Sequence, residues 1–179
     1  VEGLVIGDEV NLRAGPSRLF PVLQTFPYHA AVSVLNAAPG REWLQVRSAD
    51  GVTGWMKAQY VQVDLAIEAI SLAPVSQDWI RLKGSVKDSN GRPVVGAYVQ
   101  LYDSQGHSAE TRSWEDSYFY LLLPVTSQGR WTLVVLRPAC RLSASISYCP
   151  GPGNFMDNPR TLELTGDQAV EVVYQLDGL

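Results

Sequence analysis

Residues 43–61 read Trp43-Leu-Gln-Val-Arg-Ser-Ala-Asp-Gly-Val-Thr-Gly-Trp-Met-Lys-Ala-Gln-Tyr-Val61. Trp43 to Arg47 alternates with a period of two, placing Leu44 and Val46 on one face and Trp43, Gln45 and Arg47 on the other. Ala49-Asp50-Gly51 is a tight hairpin signal, and Val52 to Met56 returns as a second strand. Gly54 inside that strand marks a close backbone approach, and Tyr60 ends a short turn before a closing strand.

The same rhythm extends upstream. Val10 to Ala14 alternates until Gly15-Pro16-Ser17 breaks it, Phe20 to Phe26 is extended around Pro21, and Ala30 to Leu35 is strongly β before Ala38-Pro39-Gly40. Five short strands with turn signals at intervals of roughly eight to twelve residues predict a small barrel or sandwich over residues 1–64. Residues 65–79 are less regular: Ala66 to Leu72 reads as a strand or a helical turn, and Ala73 to Asp78 as a linker.

Downstream, residues 80–179 carry seven expected strands at 80–86, 97–102, 118–123, 131–136, 143–148, 161–164 and 169–176. Asp88-Ser-Asn-Gly91 reads as a hairpin whose Asn90-Gly91 pair fits a type I′ turn. Val170, Val172, Tyr174 and Leu176 share one face of the last strand. No segment holds a helical period. The expected fold is all-β, a small barrel followed by a seven-strand β-sandwich.

Composition narrows the function classes. Of 179 residues, 46% are hydrophobic and 18% charged, which suits folded globular material. A net charge of −4, with the 14 Lys and Arg scattered, argues against a nucleic-acid partner. No apolar run is long enough to span a membrane, so membrane insertion is not expected. The chain begins at Val1 without an initiator Met, which reads as a mature or trimmed fragment, and the absent leader is silent on compartment. Cys140 and Cys149 flank a strand-like stretch followed by Pro150-Gly-Pro-Gly153. A disulfide closing that loop would stabilise by roughly 2–3 kcal/mol and favours an oxidising location. Two free, half-buried thiols are the alternative.

Two resemblances add to this reading. Val10-Asn-Leu-Arg-Ala-Gly-Pro-Ser17, Val32 to Leu35, Trp43 to Arg47 and Gly51 to Val61, in that order and spacing, resemble the bacterial SH3 family over about residues 8–63. The sequence departs at Tyr28-His29-Ala30, where the family usually has a Gly in the turn before the central strand. Compared with signalling SH3 domains, Trp43 and Tyr60 fall where groove aromatics lie. The proline expected after the Gly-aromatic pair is replaced by Lys57, which argues against a proline-peptide groove. Lys83 to Leu101, Tyr118 to Leu121 and Gly129 to Leu133 are similar to carboxypeptidase-regulatory-like, transthyretin-like sandwiches. There the usual Asp-Gly ahead of Tyr118 is replaced by Glu115-Asp116-Ser117. That resemblance implies a non-enzymatic extracellular spacer or adaptor.

Catalytic constellations are missing from the sequence. His29 and His107 lie in separate turn-like segments, and no H-x-x-x-H, C-x-x-C, H-E-x-x-H, phosphate-loop or G-x-S-x-G pattern occurs. A Cys-His nucleophile pair has nothing to bring it together, and Glu110, Glu115 and Asp116 read as a solvated loop. No enzyme activity, metal or cofactor is expected. What remains is binding. Trp43, Trp55 and Tyr60 offer flat surfaces for sugar rings or glycine-rich peptides, or else they close the barrel core. Arg13 and Arg47 offer planar forks for a stem-peptide carboxylate, or else simple surface charge. Trp114 and Tyr118 to Tyr120 read as strand and core.

The expected function is a non-catalytic binding module of the bacterial cell envelope or exterior, recognising peptidoglycan or another wall component, with the sandwich as spacer or second contact surface. The alternatives are a structural protein–protein adaptor that binds a protein peptide, or an accessory region of a wall hydrolase or protease.

Overall fold

The computed structural model describes residues 1–114, 116–136 and 159–174. These residues form strands, turns and short 3-10 segments, with no α-helix among them. They divide into two compact units, Val1–Ile80 with Leu122–Thr126 and Arg81–Leu121 with Ser127–Leu179.

The first unit holds β1 (Glu2–Val5), β2 (Val10–Arg13), β3 (Val22–Phe26), β4 (Ala31–Ala37), β5 (Trp43–Ser48), β6 (Thr53–Lys57) and β7 (Val61–Val63). They make one sheet in the order β3-β2-β6-β5-β4-β1-β7, antiparallel at every pairing. Phe26 and Val61, from the strands at its two ends, join the same buried cluster as Val5, Leu12, Val34, Leu44, Val46 and Met56. A flat sheet cannot bring its end strands into one core, so this sheet curls around it, as the expected barrel requires.

The β5–β6 hairpin organises that curl. Its turn places Gly51 at φ +88°, with Gly51 N–H donating to the Ser48 carbonyl at 3.0 Å. The Ser48 hydroxyl oxygen accepts from Val52 N–H at 3.0 Å. Register then pairs Leu44 with Met56 and Val46 with Gly54 on the inner face, and Trp43 with Lys57 and Gln45 with Trp55 on the outer. A Cβ on Gly54 would sit 2.7 Å from the Arg13 carbonyl oxygen and 2.8 Å from Leu12 Cγ, so β2 can cross β6 closely only because Gly54 has no side chain.

Two strands escaped the sequence reading. In β1 the outward residue is Leu4 and an inward one is Gly3, so the apolar alternation that marks a strand is weak. Residues 65–79, whose first half read as a strand or a helical turn, fall in the first unit. They form a 3-10 turn at Ile67–Ala69, Ile70 enters the core, and Arg41 Nη1 donates to the Ile67 carbonyl and, at 2.8 Å, to that of Ile70.

The second unit contains a four-stranded and a three-stranded sheet among the described residues. Its strands are β8 (Trp79–Asp88), β9 (Tyr98–Tyr102), β10 (Ser108–Arg112), β11 (Tyr118–Pro124), β12 (Gly129–Leu136), β13 (Arg160–Leu164) and β14 (Gln168–Tyr174). The orders are β10-β9-β12-β13 and β11-β8-β14, with β14 parallel to β8. Val99, Leu101, Leu133, Val135, Phe119, Leu123, Leu82 and Val86 are all buried. β10 is the second missed strand. It lies at a sheet edge and turns in only Ala109 and Thr111, too little apolar surface to announce itself.

The Asn90-Gly91 expectation needs correcting. Gly91 alone takes positive φ, +77°, and Asn90 does not. The Asp88 carboxylate accepts from the N–H groups of both Asn90 and Arg92 at 2.8 Å, stabilising a turn with one left-handed residue in place of the I′ pair. The Cys140–Cys149 pairing, the 143–148 strand, Glu115 and Leu176 lie outside the described residues.

Candidate functional site

One cavity of about 400 Å³ opens in the first unit where the β1–β2 connection meets the ends of β5 and β6. Its walls come from Gly7 to Asn11 on one side and Trp43, Lys57 and Tyr60 on another, with Arg13 and Arg18 completing it. Strand register explains the convergence. Trp43 opens β5 and Lys57 ends β6 directly opposite it, and Ala58–Tyr60 then turns as a 3-10 segment toward β1. Ile6 N–H donates to the Tyr60 carbonyl at 2.9 Å, which sets Tyr60 beside Gly7. A Cβ on Gly7 would lie 3.1 Å from Tyr60 Cδ1, so the ring rests against bare backbone.

Of the five residues nominated for binding, the cavity unites three: Trp43, Tyr60 and Arg13. Tyr60 is 37% exposed and Trp43 only 8%, so Tyr60 offers most of the accessible aromatic surface. Trp43 divides its contacts. It also joins a buried cluster with Ala38, Trp55 and Ala73, against which Trp79 packs. Trp55 is placed elsewhere, 3% exposed and edge-on to Trp79 at 5.4 Å between ring centroids. The outer face of the hairpin is thus covered by the chain that follows it, which the pattern of alternation cannot reveal. Arg47 also lies apart. It shares Trp43's face four residues along β5, roughly 13 Å away, and its Nε donates to the Thr53 hydroxyl at 3.4 Å.

Arg13 has a structural duty as well. Its Nη1 donates to the carbonyls of Arg18 at 3.1 Å and Phe20 at 3.0 Å, holding the loop between β2 and β3. Burial first, and then the charge of nearby Arg18, press the Arg13 guanidinium below its usual pKa. An opposite charge nearby would offset the repulsion from Arg18. The acidic side consists of Asp8 and Glu9, with Glu9 N–H bonded to Asp8 Oδ1 at 3.1 Å and Glu9 at φ +51°. A non-glycine residue in that region is strained, and such strain gathers at binding sites.

Sequence reasoning missed Asp8, Glu9, Arg18 and Gly7 as cavity residues. The available signal was a Gly-Asp-Glu turn directly before Val10-Asn-Leu-Arg13. The remaining candidate chemistry stays dispersed. His29 stacks on Tyr28 at 4.0 Å, His107 Nδ1 sits 2.8 Å from Asp103 Oδ2, and Glu110 accepts from the Tyr98 hydroxyl. Among the described residues no group of three His, Cys, Asp or Glu side chains is placed to hold a metal. No helix there is long and apolar enough to cross a membrane.

All of the lining residues but Gly7 fall within a segment that matches a known family. Residues 8–62 match the family model of the bacterial SH3 domain. No curated protein matches the chain. Among solved structures, the shaft pilin SpaA from Lactobacillus rhamnosus GG aligns at a TM-score of 0.40 and 11% identity, over 100% of this chain and 88% of that one. The Bacillus anthracis TIE protein aligns at 0.38 and 8% identity, over 97% of this chain and 34% of that one. Scores at this level assign neither a shared fold nor a role.

Proposed function

We propose that the bacterial SH3 segment is a non-catalytic, extracytoplasmic binding module that seats a component of bacterial cell-wall peptidoglycan in the cavity at Trp43, Tyr60 and Arg13, with the β-sandwich as spacer or second contact surface. The observation that carries this reading is the convergence of the exposed Tyr60 ring, the Trp43 indole and a partly buried guanidinium on one concave site of the matched segment. Aromatic faces supply contact area at low entropic cost, and the guanidinium supplies a directional anchor. Trp55, sealed under Trp79, and Arg47, remote on β5, have no part in this site.

The test is co-sedimentation of the protein with purified bacterial cell wall at moderate salt. Wild type is expected in the pellet and Tyr60→Ala mostly in the supernatant. Wild type remaining wholly in the supernatant would overturn the proposal.

A further inference from the structure

Trp79 opens β8 and lies within the first unit, beyond the end of the matched segment. The backbone leading to it is fastened to the barrel at Ala37. Ala37 N–H donates to the Ser71 carbonyl at 2.9 Å, and Ala73 N–H donates to the Ala37 carbonyl at 2.8 Å. The next barrel residue, Ala38, donates its N–H to the Trp43 carbonyl at 2.8 Å. From Ala73 the chain runs through exposed Pro74, Gln77 and Asp78 and then packs the Trp79 ring against the buried cluster of Trp43, Trp55 and Ala38. There the indole stands edge-on to two rings, Trp55 at 5.4 Å and 77° and Phe20 at 6.2 Å and 69° between centroids and planes. Edge-to-face pairs of this kind add stability beyond the area they bury.

Each of those two rings leads to a cavity residue. A Cβ on Gly15 would lie 2.5 Å from the Phe20 ring, so that ring rests on bare backbone as well as on Trp79. The Phe20 carbonyl accepts from Arg13 Nη1 at 3.0 Å, so the place of Phe20 bears on the place of the guanidinium. Trp55 lines no wall of the cavity, yet it shares its buried cluster with Trp43, which does. We infer that residues 71–79 form a strap that holds the cavity walls in position, and that Trp79 is its positioning residue, acting through Phe20 on Arg13 and through Trp55 on Trp43. This rests on reading the cavity as the wall-binding site, and it extends the binding module past residue 62 to Trp79. Close-packed rings pass a displacement on because the packing leaves little free volume to absorb it.

Amide hydrogen exchange and co-sedimentation with cell wall, both on the full chain, test this with Trp79→Ala and Trp79→Phe. The amides to follow are Ala14, Phe20 and Ala38, which donate to the carbonyls of Pro21, Ser17 and Trp43. In Trp79→Ala they should exchange about tenfold faster or more. The amides of Val5 and His29, bonded to the carbonyls of Ala30 and Val5, should keep their wild-type rates. Affinity for cell wall should fall about tenfold. Trp79→Phe keeps a ring at the same place and should restore most of both. If Trp79→Ala does not fold, Trp79→Leu, apolar but without a ring, replaces it in each comparison. Equal acceleration at all of these amides would make Trp79 an ordinary core residue and overturn the inference. Unchanged exchange at Ala14, Phe20 and Ala38 would overturn it as well, and so would wall affinity that survives Trp79→Ala intact. Wild type that never pellets sinks the wall-binding reading alone, and the exchange pattern then decides by itself whether the strap holds the walls.

Discussion

Trp43 and Lys57 are direct cross-strand partners in the β5–β6 ladder, and both side chains line the cavity. A lysine therefore faces Trp43 across the ladder, at the position where the resemblance to signalling SH3 domains calls for a proline. The indole is also a packing element, since Trp43 belongs to the cluster with Trp55 and Ala73. The two aromatic residues of the cavity should thus respond differently to truncation. Trp43→Ala is expected to cost about 3 kcal/mol in urea unfolding, as large-to-small changes of buried rings do. Tyr60→Ala should shift stability by under about 1 kcal/mol while abolishing retention on cell wall. Equal destabilisation by both would remove Tyr60 from the binding surface.

Gly54 offers a test of the close crossing between β2 and β6. Its missing side chain leaves room for the Arg13 carbonyl and Leu12, each within 3 Å of where a Cβ would be. A carbonyl oxygen cannot rotate aside as a side chain can. Gly54→Ala should destabilise by roughly 1–3 kcal/mol, against the small gain that alanine usually gives in the unfolded chain. Because Arg13 leaves β2 at this crossing, weakened wall binding should accompany the loss. A variant as stable as wild type would show that the strands do not need to approach so closely.

The barrel and much of the sandwich are legible in the sequence because their strands bury one face and expose the other. Leu44, Val46 and Met56 announce the inner face of the central hairpin as plainly as Val99 and Leu101 do in β9. Legibility fails where that premise fails. Trp55 alternates outward yet is buried, because Trp79, 24 residues later, packs on it. β10 contributes only Ala109 and Thr111 to a core, and β1 turns Leu4 to solvent. Three of the ten cavity residues were legible for a related reason: Trp43 and Arg13 sit on strands and Tyr60 on the short turn before the closing strand, whereas Asp8, Glu9 and Arg18 sit on connections that no periodicity marks.

Two turns place an ordinary residue in left-handed backbone. His29 holds φ at +63° and Ser117 at +70°, a region that favours glycine. For His29 the turn is further fixed by its N–H donating to the Val5 carbonyl at 2.8 Å. Left-handed φ costs an ordinary residue roughly 1–2 kcal/mol, and glycine relieves this while adding roughly 0.4–1 kcal/mol of unfolded-state entropy. His29→Gly should therefore lie within about 1 kcal/mol of wild type. His29→Val, branched at Cβ, should lose about 2 kcal/mol or more. Both variants lose the stacking on Tyr28, so it cannot account for the difference. Chemical denaturation showing the two equally stable would remove backbone strain as the governing factor.

Asp103 provides the pH-dependent prediction. Burial pulls its carboxyl upward, but the hydrogen bonds from the His107 ring and from the N–H groups of His107 and Gln105 outweigh that and hold it below its ordinary value of 3.8. A carboxyl depressed in the folded state stabilises the fold above its unfolded pKa, about 4. That stability disappears as pH falls through the folded value, because the unfolded chain takes up the proton first. Asp103→Asn keeps an oxygen to accept the two backbone N–H groups and removes the charge. The gap in urea midpoint between wild type and this variant should close progressively as pH falls below about 4. Asp50, held low chiefly by the Ser48 hydroxyl, titrates in the same direction in both proteins and cancels from the difference. A gap independent of pH down to 3 would show that Asp103 supports its turn through its backbone contacts alone, with no contribution from the charge facing His107.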